Sequence, residues 1–235
     1  MEEINNRNDR KIRELVSEIQ KYFIESSSGN SIQYINSEVS FENFKNQNNG
    51  FVFRSFYGQM ALRLVCVHCK YSVNTSYQLF KSVALPVPET RSTIRLDEII
   101  NGFLQESPVE MDDKRNCKCP DGSLNFLSIT EYTHMPRYLH IYLNRGSFYK
   151  NGLKNNTHVT CGQVLNFPMK DTSLKYKLIS VIDHIGDTLG GHYYAKSCFE
   201  TDQWWMLNDS TVYRIFGDEK IATENTIVFL FKKFT

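Results

Sequence analysis

Neither sign of charge dominates the 235-residue sequence. It carries 27 lysines and arginines against 26 aspartates and glutamates, for a formal net charge of +1. Proteins that bind nucleic acid chiefly through its phosphates need clustered positive charge, because phosphate neutralisation supplies much of the binding free energy. The composition therefore gives no electrostatic case for nucleic acid as the main partner.

Long apolar runs are also missing. The longest run near the end, Ile227 to Phe231, has five residues, whereas a membrane-spanning helix needs about 20. The N-terminus, MEEINNRNDRK, is polar and charged, unlike a secretory leader. We expect a protein with no membrane partner, located in the cytoplasm or nucleus.

Cysteine is absent before position 66, and the first four cysteines then form two close pairs. Without a secretory leader, such pairs favour a metal over disulfide bonds. Four thiolates are the ligands of a tetrahedral structural zinc, and each pair would occupy one edge of the tetrahedron. Buried cysteines without metal are the alternative, since the second pair has only one intervening residue. The predicted zinc ligands are Cys66, Cys69, Cys117 and Cys119.

The most informative stretch runs from Tyr176 to Asp209. It predicts three short strands, with Gly190-Gly191 opening the second strand just before His192. A histidine at a strand start has what a general base needs if an amide or carboxylate fixes its tautomer. Asn208 and Asp209, at the end of the third strand, could do so. An ordinary surface histidine followed by a turn is the alternative interpretation.

The segments YKLISVIDHIG, GGHYYA and WWMLND closely resemble the histidine box of the ubiquitin-specific proteases, the papain-like class of deubiquitinating cysteine peptidases. This resemblance implies that His192 is the base for a cysteine thiol, with Asn208 as its orienting residue and Asp209 beside it. It also implies that Gly190, Gly191 and Tyr193 flank the narrow channel for the Gly-Gly tail of ubiquitin. The expected partner is ubiquitin or a ubiquitinated protein.

Other segments resemble the same family in its fingers and palm regions. FRSFYGQMALRLVCVHCKYSV matches the first fingers strands, MPRYLHIYLNRG the central palm strand, and VLNFPM a further palm strand. The fold class expected is α+β, a partial papain-like peptidase of the ubiquitin-specific protease type. Residues 1–50 would be a remnant of the thumb, and residues 51–235 the fingers and palm. The last strand, within Asn225 to Lys233, is expected to pair beside the histidine strand.

Local patterns predict several further elements. Apolar spacing predicts a helix over residues 8–24, and the polar stretches 26–30 and 43–50 predict loops. Ser92 to Glu110 predicts a short amphipathic helix followed by an acidic turn. Its expected apolar face consists of Leu96, Ile99, Ile100 and Phe103.

The family's nucleophilic cysteine precedes its fingers region, and no cysteine stands before Cys66 in this sequence. A base without its nucleophile cannot carry out acyl transfer. We therefore expect the chain as written to be inactive as a hydrolase. It would be either part of an active enzyme or a pseudo-enzyme, kept as a ubiquitin-binding module or a zinc-stabilised scaffold. Cys161 and Cys198 are interpreted as structural or incidental thiols.

Overall fold

The computed structural model of the chain describes residues 29–48, 50–70, 72–90, 92–110, 125–146, 154–187, 190–199, 202–216 and 221–234. The chain divides into two compact units, Met1–Asn49 and Gly50–Thr235. The helix predicted over residues 8–24 lies outside the described residues. Within the described part, no helix is both long and apolar enough to cross a membrane.

The first unit contains helix α1, Gly29–Gln47. The loops predicted at 26–30 and 43–50 are therefore wrong where they overlap this helix. Its polar end is stabilised locally, because Lys45 pairs with Glu42 at 2.8 Å, one turn away. The Phe44 carbonyl accepts from both the backbone N–H and the side-chain amide of Asn48, each at 3.1 Å, so Asn48 closes the last turn of the helix.

The second unit consists mainly of β-structure with two helices in its described part, α2 (Phe51–Phe56) and α3 (Leu96–Phe103). Its strands form sheets of four and eight strands and one two-stranded pair. In chain order they are β1 Gly58–Cys66, β2 Ser72–Phe80, β3 Ser82–Pro86, β4 Ile94–Arg95, β5 Ser107–Glu110, β6 Asn125–His134, β7 Tyr138–Asn144, β8 Val159–Thr160, β9 Val164–Pro168, β10 Ser173–Gly186, β11 Gly191–Cys198, β12 Trp204–Asn208, β13 Thr211–Arg214 and β14 Thr226–Lys233.

The smaller sheet is antiparallel, in the order β2-β1-β6-β5. Its first strand starts later than the sequence resemblance suggests, because Phe51–Phe56 is helical and β1 begins only at Gly58. A Cβ at Gly58 would overlap the Phe80 ring and the His134 carbonyl. Glycine is thus required where β1 closes against both of its neighbours.

The larger sheet has the order β13-β12-β11-β10-β14-β7-β3, with β9 pairing along β10. The buried face predicted for β7 is confirmed, since Leu139, Ile141 and Leu143 are all fully buried. The predicted position of the last strand is wrong, because β14 pairs with β10 and β7. Strand β10 has 14 residues and itself pairs with the histidine strand β11, so it separates β14 from β11.

Helix α3 buries Leu96, Ile99 and Ile100 in the core, but Phe103 at its end is 42% exposed. The predicted apolar face is therefore correct for three of its four residues. The expected acidic turn is confined to residues 104–106, which include Glu106, because β5 follows and pairs with β6. Sheet pairing with a distant strand prevails here over the local turn signal.

Candidate active site

The β10–β11 hairpin places His192 at the end of the larger sheet where β10 turns into β11. Gly186, the last residue of β10, has a φ of 125°, a conformation that side-chain-bearing residues rarely adopt. Beyond it, the backbone N–H of Asp187 donates to the Gly190 carbonyl, and the Gly190 N–H donates back to Asp187 Oδ1, each at 3.1 Å. These contacts fix where β11 begins, one residue before His192.

The two glycines before His192 differ in their surroundings. A Cβ at Gly191 would overlap the His184 ring and the Ile185 carbonyl, whereas a Cβ at Gly190 would meet no described atom within 4 Å. Gly191 therefore allows a close approach of two parts of the chain itself, which a side chain would prevent. The role of both glycines in a substrate channel stays a prediction.

A tight turn between β12 and β13 holds the two candidate orienting residues. Asn208 pairs with Thr211 across this turn, and Asp209 takes a left-handed φ of 49°. Aspartate tolerates this conformation better than most residues with side chains. The hairpin thus presents the Asn208 side chain at the same end of the sheet as His192.

His192 and Asn208 are in hydrogen-bond contact. His192 Nε2 lies 2.5 Å from Asn208 Oδ1 and 3.8 Å from Asp209 Oδ2. Because an amide oxygen can only accept, this contact requires the proton on Nε2 and leaves the lone pair of the neutral ring on Nδ1. The imidazole is half exposed, so Nδ1 can accept a proton from a group brought to this end of the sheet. The assignment of Asn208 as the orienting residue stays a prediction that this geometry supports.

Tyr193 lies apart from this group. Its ring stacks on His184, its partner across the hairpin, at a centroid distance of 4.4 Å. Successive residues of a strand face opposite sides of the sheet, so Tyr193 faces away from the side that carries His192. The structure brings together His192, Asn208 and Asp209, but not Tyr193.

A buried polar cluster that no sequence motif indicates lies on the His192 side of the sheet. Fully buried Asp183 accepts from Lys196 Nζ at 3.1 Å, from the Thr226 hydroxyl at 2.6 Å and from the Thr223 hydroxyl at 3.3 Å. The signal in the sequence was an aspartate and a lysine at core-facing positions of apolar strands. Their opposite charges are compatible with the interior only because they are paired.

Arg145 is connected to this cluster through Thr226. Its guanidinium donates to the carbonyls of Thr226 and Thr157 at 2.7 Å and of Asn155 at 2.9 Å. Burial lowers the pKa of Arg145 to about 10, since desolvation disfavours the charged form. The Asn144-Arg145-Gly146 end of the palm strand thus ties β7, β14 and the segment after residue 153 together.

The predicted zinc ligands are only partly described. Cys66 is buried at the end of β1, Cys69 is exposed in the turn that follows, and Cys117 and Cys119 lie outside the described residues. The described residues alone form no cluster of three potential metal ligands. However, the segment carrying the second pair leaves the sheet at Glu110 and rejoins it at Asn125, which pair with each other. Asn125 also accepts from the Val67 N–H at 3.1 Å, so both cysteine pairs start from the same sheet end, which fits a shared tetrahedral site.

The two remaining cysteines, Cys161 and Cys198, have thiols that are poor nucleophiles. Burial raises the pKa of Cys161 to about 12, and it also raises the pKa of Cys198. Because the thiolate is the reactive form, neither environment favours catalysis. This supports the interpretation of both as structural or incidental.

Comparison with known families gives a match over most of the chain. The family model described as "Ubiquitin carboxyl-terminal hydrolase" matches residues 5–231. Among curated relatives, ubiquitin carboxyl-terminal hydrolase 4 of Saccharomyces cerevisiae (strain YJM789) is 28% identical over 84% of this chain and 24% of its own length. Ubiquitin carboxyl-terminal hydrolase 2 of Gallus gallus is 29% identical over 67% of this chain and 46% of its own. The chain thus spans less than half the length of these relatives.

Solved structures show the same architecture. The chain matches a structure of the SAGA Ubp8/Sgf11/Sus1/Sgf73 module bound to ubiquitin aldehyde with a TM-score of 0.68 and 19% identity, over 95% of this chain and 48% of that one. A second structure of the Ubp8-Sgf11-Sgf73-Sus1 module matches with a TM-score of 0.65 and 22% identity, over 81% of this chain and 43% of that one. At these identities the likeness establishes the fold.

Proposed function

Because the chain belongs to the ubiquitin carboxyl-terminal hydrolase family, we propose that it recognises ubiquitin and supplies the base side of a deubiquitinating active site. The expected α+β, ubiquitin-specific protease type of fold is confirmed by the family match and the structural likeness. In this proposal the four-stranded sheet contacts the globular body of ubiquitin. An ordinary interface of this kind buries about 1,500 Å² in total.

The observation that supports the base role most directly is the 2.5 Å contact between His192 Nε2 and Asn208 Oδ1. With Nε2 donating, Nδ1 can take the proton of a thiol as its sulfur attacks the isopeptide carbonyl carbon. The same proton then passes to the leaving lysine amine, and water hydrolyses the thioester that remains. Asn208 would hold the ring in the required tautomer throughout, as the third member of a catalytic triad does.

The thiol itself is the missing element of this mechanism. Cys198 lies on the same strand as His192, six residues along, which is about 20 Å in an extended strand. The raised pKa of Cys161 makes it a poor nucleophile wherever substrate binds. We therefore propose that the 235-residue polypeptide by itself binds ubiquitin without turnover, and that hydrolysis needs a thiol from outside these residues.

Two assays on the same preparation test this function. Titration of the chain into fluorescently labelled ubiquitin should give saturable micromolar binding, while a fluorogenic ubiquitin ester should show no turnover above buffer. Turnover abolished by His192→Ala would overturn the inactivity proposal but support the base role. Turnover that survives His192→Ala would overturn the base role, and absence of saturable binding would overturn the ubiquitin-binding proposal.

We propose separately that Cys66, Cys69, Cys117 and Cys119 hold one structural zinc. The convergence of both cysteine segments on one sheet end supports it. Native mass spectrometry should show one zinc per chain, and Cys66→Ser should lose it together with thermal stability that chelators also remove. One zinc retained in Cys66→Ser would contradict this ligand set, and a metal-free preparation with unchanged stability would contradict the site.

A further inference from the structure

The end of the β10–β11 hairpin that carries His192 extends beyond the strands on either side of it. The pairing of β14 with β10 ends at Thr226, opposite Asp183, and the pairing of β12 with β11 ends at Leu207, opposite Ala195. Three residue pairs of the hairpin lie beyond both points: His184 with Tyr193, Ile185 with His192, and Gly186 with Gly191. We call these six residues the terminal ribbon. Within the described part of the chain, no third strand pairs with it.

A two-stranded ribbon is not rigid by itself, because an isolated hairpin is at best marginally stable in water. The hydrogen bonds between Asp187 and Gly190 close the hairpin, but they do not attach the ribbon to the rest of the sheet. The contact of the His192 ring with Asn208 on β12 therefore needs other contacts that hold the ribbon in place.

Lys154 and Asn225 make such contacts at His184, the first β10 residue of the ribbon. The His184 N–H donates to the Asn225 carbonyl at 2.9 Å, and the His184 carbonyl accepts from the Lys154 ammonium. The same ammonium donates to Asn225 Oδ1 at 3.3 Å. Both backbone polar groups of His184 thus have partners where the strand pairing with β14 has already ended.

The backbone of Lys154 is attached to the residues that follow the core strand β7. Lys154 pairs with Gly146 in an isolated β-bridge, and the N–H of Asn155 donates to the Arg145 carbonyl at 2.9 Å. Arg145 is itself buried and donates to three backbone carbonyls. The Lys154 ammonium therefore connects the ribbon to a firmly held part of the second unit.

This connection lies next to the backbone of His192. Opposed residues of an antiparallel pair alternate between hydrogen-bonded and non-hydrogen-bonded pairs. Because the His184 N–H is directed to Asn225, His184 and Tyr193 form a non-hydrogen-bonded pair. The next pair, Ile185 with His192, is then a hydrogen-bonded one. The His192 backbone is thus bonded to the residue that directly follows His184.

We propose that Lys154 is a positioning residue, whose ammonium holds the terminal ribbon at the end of the sheet and so keeps His192 in contact with Asn208. The inference rests on the proposed base role of His192, and it adds the residue that fixes the position of this base. Lys154 acts through the backbone of His184 and takes no part in proton transfer.

Amide hydrogen exchange of the intact 235-residue chain, resolved by residue, tests the attachment of the ribbon. In Lys154→Met, which removes the ammonium but keeps a long side chain, the Ile185 and His192 amides should exchange about tenfold faster or more, because a hydrogen bond to a charged group is lost. The amides of Val181 and Lys196, a pair further into the sheet, should exchange as in the wild type. Unchanged exchange in the ribbon, or equal acceleration at both pairs, would overturn the proposal.

The imidazole ¹⁵N resonances of His192 show whether this attachment acts on the base. At a pH where the ring is neutral, the wild type should show the two well-separated resonances of a ring protonated on Nε2. In Lys154→Met the separation should decrease, because the ring contacts Asn208 for less of the time. Faster ribbon exchange with unchanged resonances would overturn the positioning role and leave the base role intact. Wild-type resonances that are not those of an Nε2-protonated ring would instead overturn the base geometry of the proposed function.

Three further variants serve as controls. Lys175→Met removes an exposed lysine near the other end of β10 and should change neither the exchange rates nor the resonances. Lys154→Arg keeps a charged donor and should restore most of the wild-type protection of Ile185 and His192. Asn225→Ala removes only the side-chain acceptor and should accelerate exchange less than Lys154→Met. A Lys175→Met effect as large as that of Lys154→Met, or no recovery in Lys154→Arg, would overturn the role of the Lys154 ammonium.

Discussion

Removing the positive charge from the buried ion pair should destabilise the second unit far more than removing one at the surface. In Lys196→Met, the Asp183 carboxylate stays fully buried and loses its counter-charge, which now lies 3.1 Å away. Breaking a buried pair from one side typically costs about 3–5 kcal/mol, because a charge without compensation remains in the interior. For a unit of this size, that corresponds to a fall in melting temperature of roughly 6–20 °C.

The chain contains its own control for this experiment. Lys177 pairs with Asp202 on the surface, where the two side chains are 37% and 73% exposed. An exposed pair contributes about 0–1 kcal/mol, so Lys177→Met should lose little. Adding Asp183→Leu to Lys196→Met should restore part of the loss, because it removes the buried charge. Equal losses for Lys196→Met and Lys177→Met in urea unfolding would refute the stabilising role assigned to the buried pair.

Three further predictions follow from the surroundings of Gly191, of the side chains of α3 and of Cys161. Gly191→Ala should lower the free energy of unfolding by about 1–3 kcal/mol through overpacking, because the added Cβ overlaps His184. Gly190→Ala should lower it less, because a Cβ there has open space; equal free energies of unfolding for the two variants would contradict this. Ile100→Ala should lower the free energy of unfolding by about 2–5 kcal/mol, and Phe103→Ala by under about 1.5 kcal/mol, since these side chains are 1% and 42% exposed. A larger loss for Phe103→Ala in denaturant unfolding would be inconsistent with the packing of α3. At pH 8 the raised pKa of Cys161 should make its thiolate fraction about a thousandfold smaller than that of an ordinary cysteine. Iodoacetamide labelling followed by peptide mass spectrometry should therefore find the partly buried Cys161 slow to react. Labelling as fast as in the unfolded chain would contradict the desolvation of its thiol. The same shift favours the protonated thiol in the folded state, so this contribution to stability is present below pH 9 and is lost as the pH rises towards 12.

Local patterns predicted the elements whose side chains alternate cleanly. The β7 residues Leu139, Ile141 and Leu143 are fully buried, as their period-2 spacing indicates. The segment from Tyr176 to Asp209 forms the three predicted strands, and the first of them, β10, already begins at Ser173. The same spacing predicts a buried Phe103, because helical period cannot show where a short helix ceases to have neighbours.

Features set by distant partners were not predictable in this way. The last strand lies beside β10 because strand order in a sheet depends on contacts far apart in the chain, which spacing does not encode. The pairing of Asp183 with Lys196 is of this kind, because the register places Asp183 opposite Tyr194 and Thr226 and the two charged groups meet only in the folded sheet, at 3.1 Å. The polar stretch 43–50 suggests a loop by composition, but its first residues belong to α1, where Lys45 pairs with Glu42 one turn before it.

The candidate site depends both on local sequence patterns and on contacts between distant parts of the chain. His192 and Asn208 were identified from residues and resemblance, and the structure places their side chains 2.5 Å apart. The turn that carries Asn208 depends on the left-handed φ of Asp209, which the Asn-Asp pair signals locally.

Binding of ubiquitin by the 235-residue chain tests the central proposal most directly. Isothermal titration calorimetry should compare intact ubiquitin with ubiquitin lacking its C-terminal Gly-Gly. We expect micromolar affinity for the intact form and weaker binding of the truncated form, since the tail would lose its place beside Gly191 and His192. Heats that do not saturate for either form up to millimolar concentration would contradict the assignment of ubiquitin as the partner, and equal affinities would contradict the placement of its tail.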